Sequence, residues 1–226
     1  MQRWFITGTD TEIGKTSVTA ILAAGLRSLQ HDVLAIKPLM SGAHPDSDAA
    51  DSTRIARAAG HSPQVHTWWN TPISPHRAAW TENKPLDIQS LKSWIRSHIA
   101  EYVLIEGVGG WRVPLSMTLK GTTLYTVSDL AKDSTQEIIL VAANKLGVLN
   151  HVLLTLEAIE RDGFVVRGVI LNQVHPETSS ISEKTNYDDL RHLLNIPVAQ
   201  CPFIPEGKTA LYGDEGVKLL RTLGLI

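Results

Sequence analysis

A loop of glycine, threonine, lysine and acidic residues near the start of the chain has the side chains that bind phosphate. Residues 7–16 read TGTDTEIGKT, after a short apolar run (Trp4–Ile6) and before a helical pattern (Ser17–Leu29). A strand, a glycine-bounded turn, Lys-Thr and a helix, in that order, indicate a phosphate-binding loop, or P-loop. Backbone N–H groups and the positive end of the helix would attract phosphate. Lys15 would contact the outer phosphates of a nucleoside triphosphate, and the Thr16 hydroxyl would bind Mg²⁺.

The scaffold that must position this loop is indicated by short apolar runs that alternate with helical patterns. The predicted strands are Arg3–Thr7, Val33–Pro38, Tyr102–Glu106, Glu137–Ala143, Arg167–Asn172 and Pro197–Pro202. The predicted helices are Lys15–Leu29, Asp51–Ala59, Ile88–His98, Val148–Asp162, Ser182–Leu194 and Gly213–Leu223. This alternation predicts right-handed βαβ units and an α/β fold, with a mostly parallel central sheet covered on both faces.

The distribution of apolar residues supports one continuous core. Ile138–Val141 is apolar on both alternating faces, as expected for a strand between two helical layers. The stripe formed by Val152, Leu153, Leu156 and Ile159 should face that sheet. Because no linker or repeat divides the chain, we expect residues 1–226 to form a single P-loop domain, with an irregular excursion at Gly60–Pro85.

Composition excludes several classes of function. The formal net charge is −2, from 21 basic and 23 acidic residues, so the chain lacks the positive charge expected of a nucleic-acid-binding protein. Cys201 is the single cysteine, which suits a reducing compartment. No signal peptide and no apolar run of about 20 residues are present, so we expect a cytoplasmic protein that does not enter a membrane.

Polar side chains follow several predicted strands, where ligands bind in open α/β sheets. Lys37 ends the second strand and could place a cation beside a transferring phosphoryl group. Glu106 ends the third strand, before a glycine run, and could support Mg²⁺ directly or through water. Asn172 ends the fifth strand, where its amide could contact a purine edge or simply form a turn.

Three further groups are open to two interpretations. Asp46, Asp48 and Asp51 precede a short helix, where an acid can cap the helix or supply a second carboxylate to Mg²⁺. Ser41-Gly42 could offer a hydroxyl and backbone N–H groups or form only a turn. Residues 145–151 open a helix whose free N–H groups could bind a carboxylate, although the spacing alone favours a simple loop and cap.

Together the motifs resemble those of the dethiobiotin synthetase family. The motifs that carry the resemblance are residues 8–16, Lys37-Pro38, Ser41-Gly42, Ser74-Pro75-His76, residues 106–111, Lys145-Leu146-Gly147, Asn150-His151 and Asn172. They follow the family order over about residues 4–205. The strict P-loop pattern has four residues between its glycines, whereas Gly8 and Gly14 enclose five, as they do in this family. Val108 replaces a commoner alanine, and Gln173 stands where an acid is often expected.

The resemblance implies a reaction in which 7,8-diaminononanoate, CO₂ (or bicarbonate) and MgATP give dethiobiotin, ADP and phosphate. One amine captures CO₂ as a carbamate, ATP phosphorylates the carbamate, and the second amine closes the ureido ring. The implied catalytic residues are Lys15, Lys37, Thr11 and Ser41. The cations would screen the repulsion between two anions, while the hydroxyls orient carbamate and phosphate oxygens.

The resemblance also assigns binding residues. The nucleotide (ATP) would contact Glu12, Ile13, Gly14, Lys15, Thr16, Ser17, Asn172, Pro202, Phe203 and Ile204. Mg²⁺ would be bound by Thr16, Asp51 and Glu106. The diaminononanoate site would include Lys37, Ser41, Gly109, Gly147, Val148, Asn150 and Tyr187. A homodimer is implied, in which the start of the helix at Gly147–Asn150 of the neighbouring subunit receives the substrate carboxylate.

Other classes of protein fit the sequence less well. A switch ATPase of the partitioning or division-site type would share this fold, but it carries a second lysine early in the loop, and Gly8–Ile13 contains none. An amidotransferase-type synthetase would need a separate cysteine-bearing domain. Neither a zinc site nor a serine hydrolase is indicated by the spacing of the histidines and serines. The sequence assigns no role to Ser74-Pro75-His76 or to Pro176–Lys184.

Overall fold

The structure is a computed structural model that describes residues 1–118, 124–176, 180–205 and 208–226. In that part of the chain the strands are β1 (Gln2–Gly8), β2 (Val33–Ile36), β3 (Leu39–Ser41), β4 (Thr67–Trp69), β5 (Tyr102–Glu106), β6 (Pro114–Met117), β7 (Leu124–Thr126), β8 (Glu137–Ala143), β9 (Val165–Asn172) and β10 (Val198–Cys201). The helices are α1 (Lys15–Ser28), α2 (Asp51–Ala59), α3 (Pro75–Thr81), α4 (Ile88–Ser97), α5 (Val127–Ser134), α6 (Val148–Arg161), α7 (Ile181–Leu193) and α8 (Tyr212–Thr222). A 3₁₀ turn (Thr209–Leu211) precedes α8.

A six-stranded parallel sheet forms the centre of the molecule, in the order β10-β9-β8-β1-β5-β2. Because all six strands run the same way, their carboxyl ends meet at one edge. The P-loop follows β1, Glu106 ends β5 beside it, and Lys37 follows β2 beyond that. The sheet order therefore brings these three sequence motifs to neighbouring positions.

Helices cover the sheet on both faces, as the sequence predicts. Alternation along β1 places Phe5 in one apolar cluster and Trp4 and Ile6 in the other. The first cluster includes residues of α4, α5 and α6, and the second includes residues of α1, α2 and α8. Ile138–Val141 is fully buried between the layers. The prediction of a doubly covered parallel sheet is confirmed.

Close packing against α8 fixes the position of α1, the helix that follows the P-loop. Gly25 of α1 meets Gly216 of α8, and a Cβ at Gly216 would collide with the Ile21 carbonyl oxygen. Glycine at both positions lets the two backbones approach each other directly. This contact fixes the position of α1, the helix that begins at the P-loop, against α8.

The prediction of an irregular segment at Gly60–Pro85 is wrong. That segment contains β4 and α3, and β4 pairs in parallel with β3 in a separate two-stranded sheet. Pro75, which suggests a break when the sequence is read alone, occupies the first turn of α3, where its fixed φ favours helix initiation. The elements β6, β7 and α5 were also missed, although Thr126 and Asp129 form a capping box at the start of α5.

One residue of the predicted α6 stripe points away from the core. Val152, Leu156 and Ile159 are buried, but Leu153 is 42% exposed, because it follows Val152 and so lies about 100° around the helix from it.

Across the described residues, no helix combines the length and hydrophobicity of a membrane span.

Candidate active site

The P-loop adopts the backbone conformation that its glycine allows. Gly14 caps the N-terminus of α1 with φ of 84°, and a side chain there would collide with the amide nitrogen of Asn172. That nitrogen donates a hydrogen bond to the Ile13 carbonyl oxygen at 2.9 Å. Glu12 also has a positive φ, of 55°. The P-loop backbone is therefore held in this conformation by Asn172, at the end of β9.

Lys15 is buried inside this loop. Its ammonium donates a hydrogen bond to the Asp10 carbonyl oxygen at 2.7 Å. Burial, together with the nearby charge of Lys37, lowers the pKa of Lys15 to about 8. An anion placed in the loop would favour the charged form, so phosphate and a proton should bind together.

A buried charge cluster lies beside the P-loop. The Lys37 ammonium is 2.5 Å from Glu106 Oε1 and 3.0 Å from Asp51 Oδ2. Thr16 donates its hydroxyl proton to Glu106 Oε1 at 2.8 Å. Lys37 and Glu106 are almost completely inaccessible, whereas Asp51 is partly exposed. The first residues of α1 and α2 and the ends of β2 and β5 thus meet at one point.

The charges in this cluster stabilise one another. Burial by itself opposes the charged form of Lys37, but the adjacent Glu106 and Asp51 carboxylates outweigh it and raise the pKa of Lys37 above its usual value. Burial likewise opposes ionisation of Asp51, yet the Lys37 charge holds the pKa of that carboxyl below its usual range. The site therefore favours the charged forms of Lys37 and Asp51 together.

The donor set of this cluster fits a divalent cation such as Mg²⁺. Two carboxylates and a hydroxyl are the hard oxygen ligands that Mg²⁺ prefers. Among the described residues, Glu106 Oε2 is buried and has no hydrogen-bond partner. A buried carboxylate oxygen without a partner is costly unless a ligand or ion satisfies it. Thr16, Asp51 and Glu106 are the residues that could hold the cation.

A cavity of about 660 Å³ joins the loop and the charge cluster. The residues predicted from sequence that line it are Thr11, Glu12, Gly14, Lys15, Thr16, Ser17, Lys37, Ser41, Asp51, Glu106 and Gly109. Gly109 has φ of 64°, and an added Cβ would lie 2.7 Å from Val113 Cγ2, so only glycine fits there. Volume and lining are suited to a polyanionic ligand with a small second substrate.

Sequence reasoning missed part of the cavity wall. Arg54, Val108, Val113 and the segment from Pro72 to Pro75 also line the cavity. A signal for Arg54 was available, because it lies three residues after Asp51 on a predicted helix and so shares its face. The structure places Ser74 and Pro75 in the wall of this cavity. His76 Nδ1 lies 3.3 Å from the Pro114 carbonyl oxygen.

The remaining predicted site residues do not line this cavity in the described part of the chain. Ile13 is buried behind the loop, and Asn172 contacts the loop from below. Pro202, Phe203 and Ile204 follow β10, two strands beyond β8. Gly147, Val148 and Asn150 lie at the start of α6, and Tyr187 lies on α7. Of the segment Pro176–Lys184, residues 177–179 lie outside the described residues.

A P-loop at the edge of a parallel, doubly covered sheet, with carboxylates beside its Lys-Thr, defines a P-loop nucleotide-binding protein. A family profile described as an AAA domain matches residues 2–206. The chain is 35% identical to the ATP-dependent dethiobiotin synthetase BioD of Bacillus velezensis, with 88% of this chain and 84% of that protein aligned. Identity to the protein of the same name from Pseudomonas aeruginosa is 37%, covering 81% of this chain and 82% of the relative. The chain belongs to the dethiobiotin synthetase family.

Solved structures with the same fold include more distant proteins. The septum site-determining protein MinD from Pyrococcus horikoshii, complexed with Mg-ADP, matches with a TM-score of 0.54 at 16% identity, over 98% of this chain and 93% of that one. A plasmid partition protein from Borrelia burgdorferi matches with a TM-score of 0.58 at 12% identity, over 100% and 99% of the two chains. At these identities the likeness is one of fold alone.

Proposed function

We propose that this chain is a cytoplasmic, homodimeric enzyme whose single domain converts 7,8-diaminononanoate, CO₂ and MgATP into dethiobiotin, ADP and phosphate. The observation that carries the proposal is the convergence of Lys15, Lys37, Glu106 and Asp51 on one cavity. The names of the relatives supply the substrate class. A binding-only protein would need the P-loop but not a buried ammonium beside the place where a phosphoryl group is transferred.

The chemistry begins with two anions that repel each other. One substrate amine adds to CO₂, loses a proton and becomes a carbamate. A carbamate oxygen attacks the γ-phosphorus of ATP, a new O–P bond forms, and the bond to the β-phosphate oxygen breaks with release of ADP. The second amine then attacks the carbamate carbon, phosphate leaves with the bonding electron pair, and loss of the remaining amine proton completes the ureido ring.

The residues of the cavity perform this chemistry by charge and position. Lys15 holds the outer phosphates, and Lys37 stands between the phosphates and the carbamate. Thr11 and Ser41 line the same cavity and orient carbamate and phosphate oxygens by hydrogen bonding. Gly109 lines the cavity without a side chain, so its backbone can lie against the substrate. An added Cβ would lie 2.7 Å from Val113 Cγ2. No group in this set needs to act as a strong acid or base.

Mg²⁺ held by Thr16, Asp51 and Glu106 would neutralise charge on the phosphates of ATP. The unpartnered Glu106 Oε2 supports this assignment. The adenine base is assigned to Asn172 and to the backbone of Pro202, Phe203 and Ile204. One amide proton of Asn172 is engaged by Ile13, and its carbonyl oxygen and second amide proton remain suited to the base.

A homodimer would complete the substrate site. Gly147 caps α6 with φ of 89°, and the start of this 14-residue helix offers free N–H groups to a carboxylate. Leu146, just before this helix, is 82% exposed, and Leu154, within it, is 57% exposed, so both offer apolar surface to a second copy. A second copy that covers this surface could bring Gly147, Val148, Asn150 and Tyr187 to the neighbouring cavity.

The direct test uses ¹³C-bicarbonate, diaminononanoate and MgATP with the purified protein. We expect dethiobiotin that carries one ¹³C in its ureido carbon, detected by mass spectrometry, and one ADP per product. Matched reactions omit ATP or use Lys15→Ala, and both should give no product. If folded protein that binds ATP forms no dethiobiotin, the proposal is wrong.

A further inference from the structure

Helix α2 delivers a cation as well as a carboxylate to the cavity. Asp51 and Arg54 lie three residues apart on α2, so both face the start of α1. Arg54 donates a hydrogen bond from Nη2 to the Ser17 hydroxyl at 3.1 Å, and both residues line the cavity. The dethiobiotin synthetase resemblance assigns no role to Arg54.

The other two cations that line the described cavity wall are constrained. Lys37 is engaged by the carboxylates of both Glu106 and Asp51. Lys15 is buried, and its ammonium donates a hydrogen bond to the Asp10 carbonyl oxygen at 2.7 Å. An arginine stays charged at any pH at which proteins are folded, and its planar fork matches two phosphate oxygens. The contact with Ser17 uses one of five guanidinium N–H donors.

We propose that Arg54 binds the inner phosphates of the bound nucleotide and sets its affinity. Thr16 faces Glu106, and Lys37 lies there too, so the outer phosphate is transferred on that side of the loop. Ser17 lies one residue further along α1, about 100° around the helix from Thr16, so its contact places the guanidinium to one side of the Glu106–Lys37 cluster. The inner phosphates belong to that side. Arg54 therefore contacts phosphates that ATP and ADP share. The inference rests on the proposed function only in taking a nucleoside triphosphate as the ligand.

A purely structural role, in which Arg54 ties α2 to α1, makes a different prediction. Glutamine at position 54 keeps a donor for Ser17 but removes the charge. Arg57 supplies the matched control, because it lies one turn further along α2, does not line the cavity, and pairs with Asp48 at 2.8 Å. The variants are Arg54→Gln, Arg54→Lys and Arg57→Gln. Each is titrated with ADP and with ATP by calorimetry, without diaminononanoate or bicarbonate.

We expect Arg54→Gln to weaken ADP and ATP by the same factor, about tenfold, as for a lost charged hydrogen bond. Arg54→Lys should retain part of the affinity, and Arg57→Gln should bind like the wild type. ADP binding by Arg54→Gln within about twofold of the wild type overturns the proposal, and so does weakening of ATP alone. Thermal unfolding of Arg54→Gln without nucleotide tests the structural role. A lower melting temperature with unchanged ADP affinity would mean that Arg54 only joins α2 to α1. Because no substrate other than nucleotide is present, the result is independent of synthetase activity.

Discussion

Lys37 has a structural role that the sequence does not reveal, since it pairs with Glu106 where both side chains are buried. Removing one partner of a buried ion pair leaves an uncompensated charge, so Lys37→Ala should lower the free energy of unfolding by roughly 3–5 kcal/mol. Mg²⁺ should restore more stability to this variant than to the wild type, because the cation replaces the lost charge. Urea denaturation with and without Mg²⁺ measures both effects.

The control for this experiment is Lys218→Ala, which removes an exposed lysine 3.3 Å from Glu215. A surface pair contributes little, so this variant should unfold like the wild type at either Mg²⁺ concentration. Equal responses of Lys37→Ala and wild type to Mg²⁺ would contradict a cation site at Glu106 and Asp51.

Lys15 should make nucleotide affinity depend on pH. Its pKa of about 8 in the free protein means that the ammonium loses its proton as pH rises through 8, whereas bound phosphate favours the protonated form. MgATP affinity should therefore fall between about pH 7.5 and 9.5, by at most tenfold per pH unit, and binding near pH 8 should take up a proton. Calorimetry in buffers of different ionisation enthalpy measures this uptake. Lys15→Arg, which stays charged, should give a flat profile, and an equally flat wild-type profile would refute the assignment.

At the scale of elements, local signals predicted the catalytic edge and failed where tertiary pairing decides the structure. The P-loop and β5 with its polar end are each formed by contiguous residues, so the sequence alone predicted that Lys15 and Glu106 lie at this edge of the sheet. The three-residue strands β3 and β4 form only because they pair with each other, and no periodicity is readable over so short a length. The spacing of Asp51 and Arg54 puts both on one face of α2, but only the packing of α2 on α1 turns that face toward the cavity.

The end of β9 has two functions that can be separated. Asn172 supports the P-loop through Ile13 whichever base is bound, and under the proposed function it also contacts adenine. Asn172→Ala should therefore weaken both ATP and GTP through the loop, with an additional loss for ATP of about fivefold or more from a lost hydrogen bond. Competition of both triphosphates against a fluorescent ADP analogue measures the ratio. If ATP and GTP weaken equally, Asn172 supports the loop and does not select the base.

At the scale of the whole molecule, the proposed substrate is long, and the described residues that line the cavity contact mainly its nucleotide end. Among the described residues that line it there are three cations, Lys15, Lys37 and Arg54, and each has a contact within the nucleotide site. The start of α6 lies beyond β8 and presents its free N–H groups next to exposed Leu146 and Leu154. A carboxylate-bearing substrate is thus better served by two chains than by one.

Mixing two inactive variants tests this arrangement. Lys15→Ala removes the nucleotide half of a site, and Asn150→Ala removes a residue of the α6 half, so each homodimer should be inactive or nearly so. In a mixed dimer with shared sites, one site carries both substitutions and the other carries neither. Equal mixing makes half of the dimers mixed, and activity should therefore recover to about a quarter of the wild-type value. The measurement is dethiobiotin formation after the variants are unfolded and refolded together, with mixed dimers verified by two affinity tags. Recovery should disappear when both substitutions are placed on the same chain and mixed with inactive Lys15→Ala protein, because every site then lacks an intact P-loop. Mixed dimers without recovered activity would show that each chain builds its site alone.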